Sequence, residues 1–130
     1  MRVVPFLLVV LLLLASCGTG ESEPELSESV VGIWESPNGF FVEFREDGTY
    51  DVGAPVGTGN SEWGTWSAEG DVLTQVADDD SPLCARIPGI YEITVLDDGA
   101  RLDATAQDDE CDIRRQDFGN ILVRYSGDGS

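Results

Sequence analysis

The chain has 130 residues and a formal net charge of −18 at pH 7; its seven basic residues are all Arg, and it has no His. Without His no Ser-His or Cys-His pair can form, and without Lys no Schiff base is available, so the commonest nucleophilic chemistries are excluded. A surface this acidic repels nucleic acid and anionic headgroups, and the length fits one small domain with a single core.

In chain order, Arg2 precedes an apolar run from Val3 to Leu14, and Ala15 and Ser16 follow with small side chains. A charged start, a short apolar segment and a small-residue end predict a secretory signal over residues 1–16. The run is shorter than the roughly 20 apolar residues that a spanning helix needs. Leu14-Ala15-Ser16-Cys17 resembles the lipobox of bacterial lipoprotein precursors. That resemblance implies cleavage after Ser16 and a diacylglyceryl group on the thiol of Cys17. It places the protein in a bacterial cell envelope, lipid-anchored on the extracytoplasmic side of a membrane. Each buried CH₂ adds about 0.8 kcal/mol to such an anchor, and two chains hold where one does not.

Residues 17–29 are rich in Gly, Ser and Glu around Pro24. They predict a flexible acidic linker after the lipidated Cys. From Val30 the pattern changes to short apolar runs broken by turn residues. Val30–Trp34, Phe40–Arg45, Thr49–Val52, Trp63–Ala68, Val72–Ala77, Tyr91–Val95, Arg101–Ala106 and Ile121–Tyr125 are eight strand candidates. Asp47-Gly48, Glu69-Gly70-Asp71 and Asp97-Asp98-Gly99 supply hairpin turns between them. Gly53–Ser61 and Asp78–Gly89 are loops, Arg114–Phe118 is a short helical turn, and residues 127–130 are a disordered tail. Short strands joined by hairpins predict an all-β, antiparallel, up-and-down barrel of about eight strands, with a two-sheet sandwich as the competing architecture.

Three cysteines occur. With Cys17 lipidated and the chain exported, Cys84 and Cys111 form an even pair in an oxidising compartment and are expected to be bonded. Cys84 lies 14 residues before Asp98 and Cys111 lies 13 after it, so the hairpin brings both to one end of the barrel. The bridge is expected to contribute about 3–4 kcal/mol by loop entropy. Two thiols without His are a poor zinc shell.

Gly32-Ile33-Trp34 opening the first strand resembles the Gly-x-Trp of the lipocalin (calycin) superfamily. Asp47-Gly48-Thr49-Tyr50, Gly64-Thr65-Trp66, Gly70-Asp71-Val72-Leu73, Gly89-Ile90-Tyr91 and Cys111-Asp112-Ile113-Arg114 look like the rhythm of bacterial lipocalin-like domains. The resemblance covers about residues 30–126. It implies that the Trp34 side chain packs across the barrel floor and that an Arg near the end of the barrel covers it, with Arg114 and Arg124 both candidates. The domain is expected to be shorter than secreted lipocalins and to be without their C-terminal helix.

The expected function is binding of a small, partly apolar ligand in a mouth lined by Phe41, Tyr50 and Trp63. The three tryptophans are core or rim aromatics first and ligand stackers second. The alternative is an envelope interaction or inhibitor domain that binds a protein partner through the Gly53–Ser61 and Asp78–Gly89 loops and has no ligand cavity. No enzyme activity, cofactor or metal is expected. Asp78-Asp79-Asp80 and Asp108-Asp109-Glu110 lack the spacing of a calcium loop and read as solvated, and spacing marks out no carboxylate pair among the 25 acids.

Overall fold

A computed structural model describes residues 25–53 and 60–126. The signal segment, Cys17, the first part of the expected linker, the tip of the Gly53–Ser61 loop and the tail lie outside the described residues. Among the described residues eight strands close into a single barrel. They are β1 (Gly32–Glu35), β2 (Phe41–Phe44), β3 (Thr49–Gly53), β4 (Asn60–Glu69), β5 (Val72–Ala77), β6 (Pro88–Leu96), β7 (Arg101–Asp109) and β8 (Ile121–Arg124). Every neighbouring pair is antiparallel, and closure comes from β1 meeting β8 through Trp34↔Arg124 and Glu35↔Val123. The barrel is therefore the architecture, and the sandwich is not.

Hairpin chemistry explains the up-and-down order. In the β2–β3 turn Gly48 takes a positive φ of 86°, and Asp47 Oδ1 accepts from the Thr49 backbone N–H at 3.0 Å and the Thr49 hydroxyl at 2.6 Å. Such turns match the twist of the flanking strands. Alternation then sends Val42, Phe44, Tyr50, Trp66, Leu73, Tyr91, Ile93, Leu102, Ala104 and Leu122 into one buried cluster. An eight-strand barrel is just wide enough for side chains to fill it or to hold one small ligand. Here the aromatics interlock: the Phe44 ring lies 5.4 Å from Trp66 and 6.1 Å from Tyr50.

Two short helices cover the two ends. The first, α1 (Leu26–Ser29), buries Leu26 and, just after it, Val30. This corrects the linker boundary: the stretch expected to stay mobile to residue 29 folds from Leu26, because two apolar side chains reach the barrel end. The second, α2 (Asp112–Phe118), follows Cys111 and buries Arg114 and Phe118. These two lie four residues apart and so share one helix face. No helix among the described residues is long and apolar enough to cross a membrane.

Candidate functional site at the α2 end

At the α1 end Trp34 is covered. Trp34 is fully buried, and its indole N–H donates to Val30 O at 2.8 Å. The Arg124 guanidinium lies 4.2 Å from the centre of the Trp34 ring. It donates to the carbonyls of Ser29, Val31 and Gly99 at 2.8–2.9 Å. Gly32, with φ of +133°, is required there, since a Cβ would stand 2.5 Å from Arg124 Nη1. Of the two arginines that the sequence left open, Arg124 is the one over Trp34.

Arg114 does something else. The inward face of α2 carries it into the opposite end of the barrel, where its side chain is 1 % exposed. It grips Asp109 with two nitrogens, Nε at 2.7 Å and Nη2 at 2.8 Å. Nη1 donates to Glu62 at 3.1 Å and Nη2 also donates to Ile87 O at 2.7 Å. Tyr50 donates to Glu62 at 2.5 Å, Tyr91 donates to Asp109, and the Cys111 backbone N–H donates to Asp109 at 2.9 Å. A bidentate Arg–carboxylate fork is the strongest arrangement available to such a pair. Gly89 makes room for it: a Cβ there would meet Asp109 Oδ2 at 2.7 Å and Arg114 Nε at 2.8 Å.

The cluster holds one cation and two carboxylates. Burial pushes Glu62 up, outweighing Tyr50 and Arg114, which pull it down. Asp109 goes the other way: burial would raise it, but the Arg114 and Tyr91 hydrogen bonds hold it below the usual carboxylate range. Burial, then Glu62, raises Tyr50; burial, then Asp109, raises Tyr91. Burial alone would lower Arg114, yet its carboxylate partners shift it up. Asp109 thus pairs tightly with Arg114, while Glu62 is the strained member.

Beside the cluster is a cavity of about 30 Å³ that opens toward the mouth. Its lining is mostly apolar, with Phe40, Phe41, Val42, Val52, Leu83, Ile113, Phe118 and Leu122, and its polar side chains are Ser36, Ser61, Glu62, Gln75, Arg114 and Asp117. A void of this size admits a water or two, not a ligand of many atoms. Gln75 is fully buried, and neither its Oε1 nor its Nε2 has a protein partner.

The disulfide is present. Cys84 and Cys111 are bonded with Cα atoms 5.5 Å apart. Together with Ala77, Leu83 and Ile87 they form a second small apolar cluster. The bridge ties the start of α2 to the 78–87 loop and so holds the helix over the mouth.

The three aromatics expected around a ligand do not converge. Tyr50 is in the core, committed to Glu62. Trp63 faces outward and donates its indole N–H to Asp80 at 2.8 Å. Phe41 is half-buried at the mouth, its ring 5.0 Å from that of Tyr125. The residues missed were Glu62, Gln75 and Asp109. Glu62 alternates in step with Gly64 and Trp66, and Gln75 with Leu73 and Ala77, so the inward parity was there to be read. Asp109 was read as solvated and is buried, because the β6–β7 register shifts between Ile90 and Tyr91. That shift sends Asp109, not Asp108, inward. Among the described residues no three metal-ligating side chains converge.

No family model matches this chain, and no curated protein matches it.

Proposed function

We propose that the protein is a lipid-anchored lipocalin-like domain of a bacterial envelope, and that it binds a small, partly apolar ligand at the α2 end of its barrel. The anchor rests on Leu14-Ala15-Ser16-Cys17 and its position after the apolar run. The binding reading is carried by one observation: an apolar mouth leads to a buried polar wall where the Gln75 side-chain amide has no protein partner. Ligand pockets combine apolar lining with a few placed polar groups in this way. Because the barrel is packed, the ligand sits in the mouth with one end reaching inward, not in a deep central well.

Titration of the oxidised, soluble domain with the neutral dye N-phenyl-1-naphthylamine tests this. Saturable fluorescence enhancement is expected, and Leu83→Asp should weaken it about tenfold. An unenhanced dye, or equal binding by the variant, would refute the mouth. Cell fractionation tests the anchor: the Cys17→Ser chain should leave the membrane fraction, and one that still sediments with membranes would refute it.

The packed interior favours a second reading, in which the disulfide-pinned 78–87 loop binds an envelope protein. Pull-down from a detergent extract with the soluble domain examines it, and recovery of nothing beyond a blank surface would count against it.

A further inference from the structure

We infer that the mouth is selective for a neutral ligand whose polar end is an amide, seated against Gln75. This rests on the mouth being the binding site. Gln75 lies on β5 between Leu73 and Ala77, all three pointing inward, and it is paired across the backbone with Trp66 and Gly89. Its side chain is 0 % exposed, and its donor and its acceptor are both unpartnered within the protein. A buried amide left without partners is costly, so something must meet it. The cavity beside it has room for one small polar group.

Complementarity names that group. Gln75 presents a donor and an acceptor side by side, and another amide returns an acceptor and a donor in the same spacing. A carboxylate supplies no donor and would face Glu62 and Asp109 across the cluster. An ammonium supplies donors only and leaves the Gln75 side-chain NH₂ without an acceptor. Neither ion satisfies both halves of the Gln75 amide; a neutral amide does. The apolar remainder of the ligand then lies against Phe40, Leu83 and Ile113 of the lining. A site built to hydrogen-bond a polar group rejects the analogue that lacks it, since its own groups are then left unpaired.

The test uses hexanamide and hexanoate as competitors of N-phenyl-1-naphthylamine on the oxidised domain. Hexanamide should displace the dye at about tenfold lower concentration than hexanoate. The Gln75 side-chain NH₂ resonances, followed by ¹⁵N NMR, should move on adding hexanamide alone. In Gln75→Met, similar in size but without the amide, the ratio of the hexanoate to the hexanamide concentration needed for displacement should fall to about one. Equal displacement by both probes, an unmoved Gln75 signal in the parent domain, or a preference surviving in Gln75→Met would overturn the inference while leaving the mouth intact. A dye that never binds would remove both the mouth and the inference. An unmoved Gln75 signal would mean that water alone fills the cavity.

Discussion

Each end of the barrel is closed by an arginine, and the two solve the problem differently. At the α1 end Arg124 stays on the outside, sits over the Trp34 ring and spends its hydrogen bonds on three backbone carbonyls. Among the described residues no carboxylate pairs with it. At the α2 end Arg114 goes inside and is neutralised by Asp109 and Glu62, with Tyr50 and Tyr91 completing their bonding. A guanidinium over an aromatic face with neutral acceptors needs little desolvation. A buried ionic cluster must overcome a large desolvation cost and stands only while every partner is present. The α1 end thus covers Trp34 from outside, whereas the α2 end buries its charge beside the unpartnered amide and a small cavity.

The largest effect is expected from breaking the interior cluster. Arg114→Met would leave two carboxylates buried without their cation, and should cost about 3–5 kcal/mol in urea denaturation. A loss under about 1 kcal/mol would mean that the cluster is solvated after all. Next comes the bridge that holds α2 over that cluster. Cys84→Ala and Cys111→Ala should each cost about 3 kcal/mol, and the double variant little more, because both remove the same constraint. Additive losses in thermal melts would contradict the pairing. At the opposite end Arg124→Met keeps the aliphatic cover over Trp34 and loses the cation–π contact and exposed carbonyl bonds. About 1–2 kcal/mol is expected there. If it cost as much as Arg114→Met, the contrast between the two ends would collapse.

The smallest effect sharpens the contrast by pH. Asp109 is lowered in the fold, so its contribution is present above its unfolded pKa and is lost as pH falls through its folded value. Glu62 is raised, so its contribution is full below its unfolded pKa of about 4.3 and is lost as pH rises through its folded value. Glu62→Gln should therefore gain on the parent as pH climbs from about 4 to 7, by up to ~1 kcal/mol, with the carboxylates outside the cluster cancelling in the difference. A difference that does not change with pH, measured by paired denaturation curves, would show that Glu62 pairs with Arg114 as well as Asp109 does.

Much of the barrel was legible because period-2 alternation and Asp-Gly turns are local signals. All eight strands overlap stretches that the apolar pattern and the turn residues between them mark out, and the short turn at Arg114–Phe118 is the core of α2. The disulfide followed from counting outward from one hairpin. The site was less legible. Two arginines met the same pattern, and what separates them is distance to Trp34, which needs the closed barrel. Glu62 lay just outside the strand assigned to Trp63–Ala68, while β4 in fact begins at Asn60. Asp109 was hidden by a register shift with no glycine of its own to announce it. Gln75 was within reach, since its neighbours Leu73 and Ala77 already pointed inward.

The seam between β1 and β8 bears on how the chain reaches this state. It joins Trp34 to Arg124 and Glu35 to Val123, and Arg124 adds a bond to Val31 across 93 positions. Every other ladder links strands adjacent in sequence, so hairpins can zip early and independently. The seam alone must wait for nearly the whole domain to be present, and long-range pairing of this kind slows folding. Until β8 arrives, β1 and the growing sheet present two unpaired edges, the feature that invites association between chains. The last strand therefore acts as a completion check: a chain cut short before Ile121 keeps its hairpins and never loses its edges.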